Sequence, residues 1–123
     1  FVDPYEADTP GHAAMRATLG SFTDSASTFL VAGWSSQYHL KGVIEAALKG
    51  GDITRAGIRR AAANVNVESD GMMPTRALGQ NRADKESSIG KPDGSIASGV
   101  QLLSSRYVGE TAKNHDWGAG PCS

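Results

Sequence analysis

Apolar residues return at three- and four-residue spacing between Leu40 and Leu48. Leu40, Val43, Ile44, Ala47 and Leu48 therefore share one stripe of a helix, while Lys41, Glu45 and Lys49 take the opposite, solvated side. Trp34 and Tyr38, one turn apart, extend that stripe toward the helix start, where packing into the core is their expected role. Gly50-Gly51 stops the helix, since glycine takes the left-handed conformation needed just past a last turn. Thr54 has the form of an N-cap for a following helix whose Ile58, Ala61, Ala62 and Val65 again repeat at helical spacing, with Arg55, Arg59 and Arg60 facing water. The stretch reads as two amphipathic helices joined by a tight Gly-Gly-Asp turn.

The same reading extends along the chain. Phe1 to Asp8 is acidic and irregular, and Thr9-Pro10 is an N-cap followed by proline at the first helical position. A short helix follows with Ala14, Met15, Thr18 and Leu19 as its buried face and Gly20 as its stop. The long second helix is expected from about Ser25 to Lys49, which makes residues 9 to 65 predominantly helical. After Asn64 the helical signal ends, and Glu68 to Pro74 reads as a turn entering an extended segment from Thr75 to Leu78. Gly79 to Ser98 is polar and reads as a long loop with a turn at Pro92-Asp93-Gly94. Gly99 to Val108 is the best strand candidate, with Val100 and Leu102 on one face against Leu103 and Tyr107. The tail from Thr111 to Ser123 forms at most one helical turn.

Composition narrows the function classes. The chain has 123 residues and 15 glycines, so the core is thin. A formal charge of -1 gives no basic footprint for nucleic acid or for an anionic membrane. No apolar run approaches the roughly 20 residues that span a bilayer and no signal peptide is present, which predicts a soluble mature chain. Phe1 is not an initiator methionine, so a segment is expected to precede it, whether a cleaved leader, a cloning boundary or a stretch lost to proteolysis. Cys122 has no partner in the chain, and a bridge to a separate segment and a free thiol are equally open readings.

Reactive constellations are missing from the sequence. His12, His39 and His115 lie far apart and at no metal-ligand spacing, Gly90-Lys91 lacks the rest of a phosphate-cradling loop, and there is no Gly-x-Ser-x-Gly elbow. Cys122 lies near His115 and Asp116, but a chain tail is a poor place to preorganise a nucleophile and its base. The expectation is a protein that is not an enzyme, with no catalytic residue, no metal and no cofactor.

Several segments, in their order, carry a resemblance. They are Asp8 to Met15 (Asp-Thr-Pro-Gly-His-Ala-Ala-Met), Gly33-Trp34 with Tyr38 and the Ala-Ala-Leu helix, Asp52-Ile-Thr-Arg55, the Asp70-Gly71-Met-Met-Pro74 turn, the Val100 to Val108 strand and the closing Gly120-Pro-Cys122. Over nearly the whole chain this order resembles the C-terminal part of a type I periplasmic binding protein of the branched-chain amino acid kind, the extracellular substrate-binding receptor of an ABC importer. The resemblance implies an α/β fold in which two lobes, joined by three crossovers, close on a small-molecule ligand. Residues 1–67 would form part of the N-terminal lobe, 68–78 an interlobe crossover, and 79–123 part of the C-terminal lobe and tail, leaving both lobes incomplete. The usual contacts to the ligand's ammonium and carboxylate would lie in the absent segments. Phe1 and Tyr5, beside the presumed crossover, are candidates for the cleft rim, with hinge packing as the other reading.

The partners implied are a small-molecule ligand such as an amino acid or its analogue, the ABC permease in the membrane, and the remainder of the receptor chain, with no nucleic acid. The location implied is exported, either periplasmic or as a cell-surface lipoprotein. The alternative function is a ligand-sensing domain of a receptor or regulator, since one fold serves both tasks. Two energetic expectations accompany this reading. Leu48, taken as buried, should cost about 2 to 5 kcal/mol when cut to alanine. The isolated chain, with an apolar helix face uncovered, should bind ligand weakly and associate with itself.

Overall fold

The computed structural model describes residues 2–20, 22, 26–79 and 85–116. Three helices come first: α1 (Pro10–Leu19), α2 (Thr28–Lys49) and α3 (Arg55–Asn64). Short strands β1 (Asn66–Val67) and β2 (Arg76–Ala77) pair antiparallel, then β3 (Ser87–Pro92) and β4 (Val100–Tyr107) form an antiparallel hairpin, and α4 (Glu110–Asn114) follows.

Local chemistry sets the helix ends. The hydroxyl of Thr9 accepts from the His12 N–H at 3.3 Å with Pro10 in the first turn, and that of Thr54 accepts from the Gly57 N–H at 3.2 Å. Ser27 caps α2 by accepting from the Phe29 N–H at 3.2 Å, so this helix begins three residues later than the Ser25 expected; Ser25 itself lies outside the described residues. Gly51, at φ +71°, makes the left-handed step between α2 and α3. Asp52 then holds the turn: its carboxylate accepts from the Thr54 N–H at 2.9 Å and from the Thr54 hydroxyl, and pairs with Arg60.

The core is small and lies among α1, α2 and the connection after β1. Met15, Val31 and Met72 are fully buried together, with Val2, Tyr5, Leu19, Trp34 and Tyr38 packed around them. On α1 the buried residues are Gly11, His12 and Met15, whereas Ala14 and Thr18 of the expected face are exposed. The helix is rolled toward its start because Gly11, lacking a side chain, lets Met72 seat directly against the backbone.

The stripe expected on α2 is also corrected. Val43 and Ala47 are buried, but Leu40, Ile44 and Leu48 are exposed. The helix instead buries Val31, Ser35, Val43 and Ala47, and Gly42 lies close against Val67 of β1. Small residues let α3 and β1 approach closely, which turns the bulky aliphatic side chains outward. Ile58 of α3 is likewise exposed, so both helices present apolar side chains at their surface.

β3 occupies part of the stretch read as a loop from Gly79 to Ser98; residues 80–84 of that stretch lie outside the described residues. Its Ser, Gly and Lys residues show no apolar alternation, and the ladder to β4 makes it a strand. The turn expected at Pro92-Asp93-Gly94 is present. The Asp93 N–H donates to the Gly99 carbonyl at 2.9 Å, and the Asp93 carboxylate accepts from the Ser95 N–H at 2.9 Å. Register shifts between Ser87 and Gly90 mark a bulge in the pairing, and Arg106 on the partner strand sits at φ +59°.

Two outcomes test this packing. A Cβ at Gly11 would lie 2.4 Å from Met72 Cγ and 3.0 Å from the Ser69 carbonyl oxygen, so Gly11→Ala is expected to cost about 1 to 3 kcal/mol as overpacking, read as a lower denaturation midpoint. Leu48 is 58% exposed, so Leu48→Ala should change stability by only about 0.5 kcal/mol in the same measurement, well below what a buried leucine gives. A further outcome concerns association. Light scattering of the isolated chain should show mass rising with concentration, and Leu40→Gln with Leu48→Gln should return it toward a monomer.

Candidate functional site

The first twelve positions of α2 place small and polar residues on one face: Thr28, Ala32, Ser35, Ser36 and His39, with Phe29 beside them. Their small side chains leave room above the helix. Together with Val2 and Met73 they line a cavity of about 350 Å³. A second cavity, of about 190 Å³, begins where the first ends: Val2 and Thr28 line both, and Pro4, Ser88, Gly90, Val100 and Leu102 complete it. The groove thus runs along α2 and on to the β3–β4 hairpin. It is lined mostly by apolar side chains with a few hydroxyls and one imidazole, the usual make-up of a site for a small organic molecule.

Two segments that hydrogen-bond to the hairpin lie beside this groove. They are the stretch leading into α1 and the stretch from β1 to β2, and they are joined where the Gly11 N–H donates to the Asp70 carbonyl at 2.9 Å. Asp3 is buried, and its carboxylate accepts from the hydroxyls of Ser88 on β3 and Ser105 on β4. Glu6 accepts from the Ser98 N–H at 2.9 Å and from the Ser98 hydroxyl. Burial raises the Glu6 carboxyl, but these Ser98 hydrogen bonds outweigh it and hold the group below its ordinary value. Arg106 of β4 donates to the Gly71 carbonyl at 2.7 Å and to Glu86 at 3.1 Å. The Tyr38 hydroxyl donates to Asp70 at 3.0 Å, and burial, then this bond, push the phenol above its usual range. Asp70 and Gly71 both take positive φ, 47° and 82°, where the second connection turns.

His12 sits at the centre of this junction, fully buried. Its Nε2 lies 3.3 Å from the Asp3 carbonyl and its Nδ1 2.8 Å from the Thr9 hydroxyl. A carbonyl only accepts, so Nε2 carries a proton, and in the neutral imidazole Nδ1 accepts from the Thr9 hydroxyl. Burial pushes the His12 pKa down, as does Arg16, against the opposing pull of Asp3.

Of the residues singled out in the sequence, Tyr5 is packed against the core cluster with the Arg16 guanidinium 5.9 Å from its ring centroid, and its carbonyl accepts from Arg16 at 2.6 Å. It lines neither cavity. Phe1 and Cys122 lie outside the described residues. Trp34 packs against the core, and its buried indole N–H has no hydrogen-bond partner among the described residues. Sequence reasoning missed the groove face of α2. Its signal was the run of small and polar residues spaced by a helical turn, a pattern that marks space and not burial. Among the described residues no group of histidine, cysteine and carboxylates is placed to hold a metal, and no helix is long and apolar enough to cross a membrane.

No family model and no curated protein matches this chain. Its structure is similar to that of the fatty acid ABC transporter substrate-binding protein from Thermomonospora curvata, with a TM-score of 0.76, 24% sequence identity and 93% of this chain covered. The chain spans 30% of the length of that protein. The fold is therefore part of the α/β periplasmic-binding-protein architecture, with open two-stranded sheets where a complete lobe would carry a larger one.

The junction generates a pH prediction. The folded chain holds His12 neutral, whereas the unfolded chain takes up a proton near the ordinary value of about 6.5. As pH falls below that value the unfolded state binds the proton first, so stability declines until the depressed folded pKa is reached. His12→Asn should flatten this part of the profile when midpoints of thermal unfolding are compared from pH 7.5 to pH 5.

Proposed function

We propose that this chain is part of the exported solute-binding receptor of an ABC importer, periplasmic or anchored at the cell surface, which performs no chemistry and hands a small organic molecule to a membrane permease. The observation that carries the reading is the apolar groove at the junction of the helices and the hairpin, flanked by two connecting segments, in a chain with the substrate-binding-protein fold. On this reading residues 1–67 belong to one lobe, 68–78 to a crossover and 79–123 to the other lobe. Tyr5, next to the crossover that would precede this segment, then packs against the core at the start of that lobe. The rest of the receptor supplies the remaining walls.

Branched-chain amino acids and related small organic molecules are the substrates we assign to the receptor as a class. The neighbour's name couples the same fold to fatty acids, which extends that class to aliphatic acids. Closure follows from contact: a ligand touching both walls favours the closed arrangement by as much as it binds that arrangement better.

The test is thermal unfolding of the full-length receptor with leucine, isoleucine, valine and a set of straight-chain carboxylates. A true ligand at about 100 times its Kd stabilises by about 2.7 kcal/mol, which raises the midpoint by several degrees. No shift with any member of the panel, together with no ligand-dependent interaction with a permease in vesicles, would remove the receptor reading.

A further inference from the structure

Three positive φ angles meet at one contact. Asp70 and Gly71 take 47° and 82° at the turn between β1 and β2, and Arg106 takes 59° in the bulge of β4. From that bulge the Arg106 guanidinium reaches across and donates to the Gly71 carbonyl at 2.7 Å. We propose that Arg106 is a positioning residue: its grip on Gly71 holds the hairpin in the arrangement that binds ligand, so it governs affinity without touching the ligand. This rests on the receptor reading, in which 68–78 is a crossover and the hairpin belongs to the lobe beyond it.

The bulge makes the grip possible. Ser87 pairs with Tyr107 and Ile89 with Ser104, so two steps along β3 face three along β4, and the extra residue falls where Ser105 and Arg106 sit. Side chains of successive residues on a regular strand point to opposite faces. Here both leave the hairpin toward the neighbouring segments: the Ser105 hydroxyl donates to Asp3 and Arg106 to Gly71, and Asp3, Pro74 and Arg106 line one small cavity. Re-aiming a side chain is what bulges do next to functional sites.

The backbone of Arg106 points the same way. Left-handed φ is unfavourable for a residue with a Cβ, and arginine, unlike aspartate or asparagine, has no short polar side chain to bond locally there. Such a conformation persists where its surroundings hold it. The two terminal nitrogens of Arg106 take separate partners, Gly71 on one and the Glu86 carboxylate at 3.1 Å on the other, so the fork is fixed from both sides of the contact. Glu86 adjoins β3, which leaves Gly71 as the partner outside the hairpin.

The Gly71 turn is anchored in its turn by the helices. The Asp70 carboxylate accepts from the Tyr38 hydroxyl at 3.0 Å, and the Asp70 carbonyl accepts from the Gly11 N–H at 2.9 Å. Adjacent residues thus tie α1 and α2, at position 70, to the hairpin, at position 71. Removing the guanidinium leaves the first tie intact and loosens the hairpin, which walls the groove through Ser88, Gly90, Val100 and Leu102. Arg106 itself lines neither cavity. A change in affinity on its removal therefore reports the fraction of molecules whose walls are in place, since apparent affinity falls in proportion to that fraction.

Hydrogen exchange and calorimetric titration of the full-length receptor test this together. The variant is Arg106→Gly, because glycine accepts the left-handed backbone and only the bonds of the side chain are lost. Amides of residues 87–107 should exchange about ten-fold faster in Arg106→Gly while those of α1 and α2 keep their rates. Titration with leucine, isoleucine, valine and decanoate should show about ten-fold weaker binding of whichever solute the unaltered receptor takes. Arg106→Lys, which keeps one charged donor, should recover part of both effects. Unchanged exchange in the hairpin would overturn the proposal, because Arg106 then holds nothing in place. An equal rise in every element would also overturn it, because the residue then acts on global stability. Faster hairpin exchange with undiminished affinity would overturn the link to binding and leave the receptor reading standing. Binding of none of the four solutes to the unaltered receptor would overturn the receptor reading and the proposal with it.

Discussion

The seating of Met72 against the bare backbone of Gly11 is the contact on which the arrangement of helices and connections depends. Met72 comes from the segment after β1, Gly11 opens α1, and Met15 and Val31 complete the cluster from α1 and α2. A side chain at position 11 would fill the space that Met72 needs, so the close approach of α1 to the second connection is a consequence of one missing Cβ. That approach in turn brings the Gly11 N–H to the Asp70 carbonyl and lays the two connections side by side. The flexible thioether suits this position, since methionine fills irregular gaps that a branched side chain leaves open.

The hairpin is held by a different kind of force. Its attachments to the connections are hydrogen bonds and charged contacts: Asp3 to Ser88 and Ser105, Glu6 to Ser98, and Arg106 to the Gly71 carbonyl. The apolar cluster contains no residue of β3 or β4. Polar attachments of this kind exchange with water at a modest net cost, roughly 0.5 to 1.5 kcal/mol for a neutral pair and about 1.5 to 3 where one partner is charged. An apolar core does not exchange in that way. The helical body is therefore held by apolar packing, and the position of the hairpin is set by directional bonds.

Helices were legible in the sequence because their periodicity and caps are local. Thr9, Thr54 and Gly51 do what those residue types do at helix ends anywhere, and Val100 to Tyr107 is a strand by its own composition. Which face of each helix is buried was not legible. The long α2 carries apolar residues on more than one face, and small residues such as Gly42 and Ala47, not the large aliphatic ones, mark where neighbours come closest. β3 was hidden because a strand paired on one side and exposed on both faces needs no apolar pattern. The groove was hidden for a related reason: space is defined by what is absent, and Ala32, Ser36 and Gly90 announce nothing individually. Tyr5 drew attention as an aromatic next to the crossover that the resemblance implies, and its ring packs against the core cluster.

The position of the groove gives these separate features a common use. Val2 lies in it, and the next residue, Asp3, is the buried carboxylate that grips both strands of the hairpin. Met73 lies in it, and the preceding residue, Met72, is the plug of the core. The groove thus borders the first connection at the residue beside its polar latch and the second at the residue beside its apolar anchor. The groove, the polar attachment of the hairpin and the apolar core thus meet at neighbouring residues of two short segments.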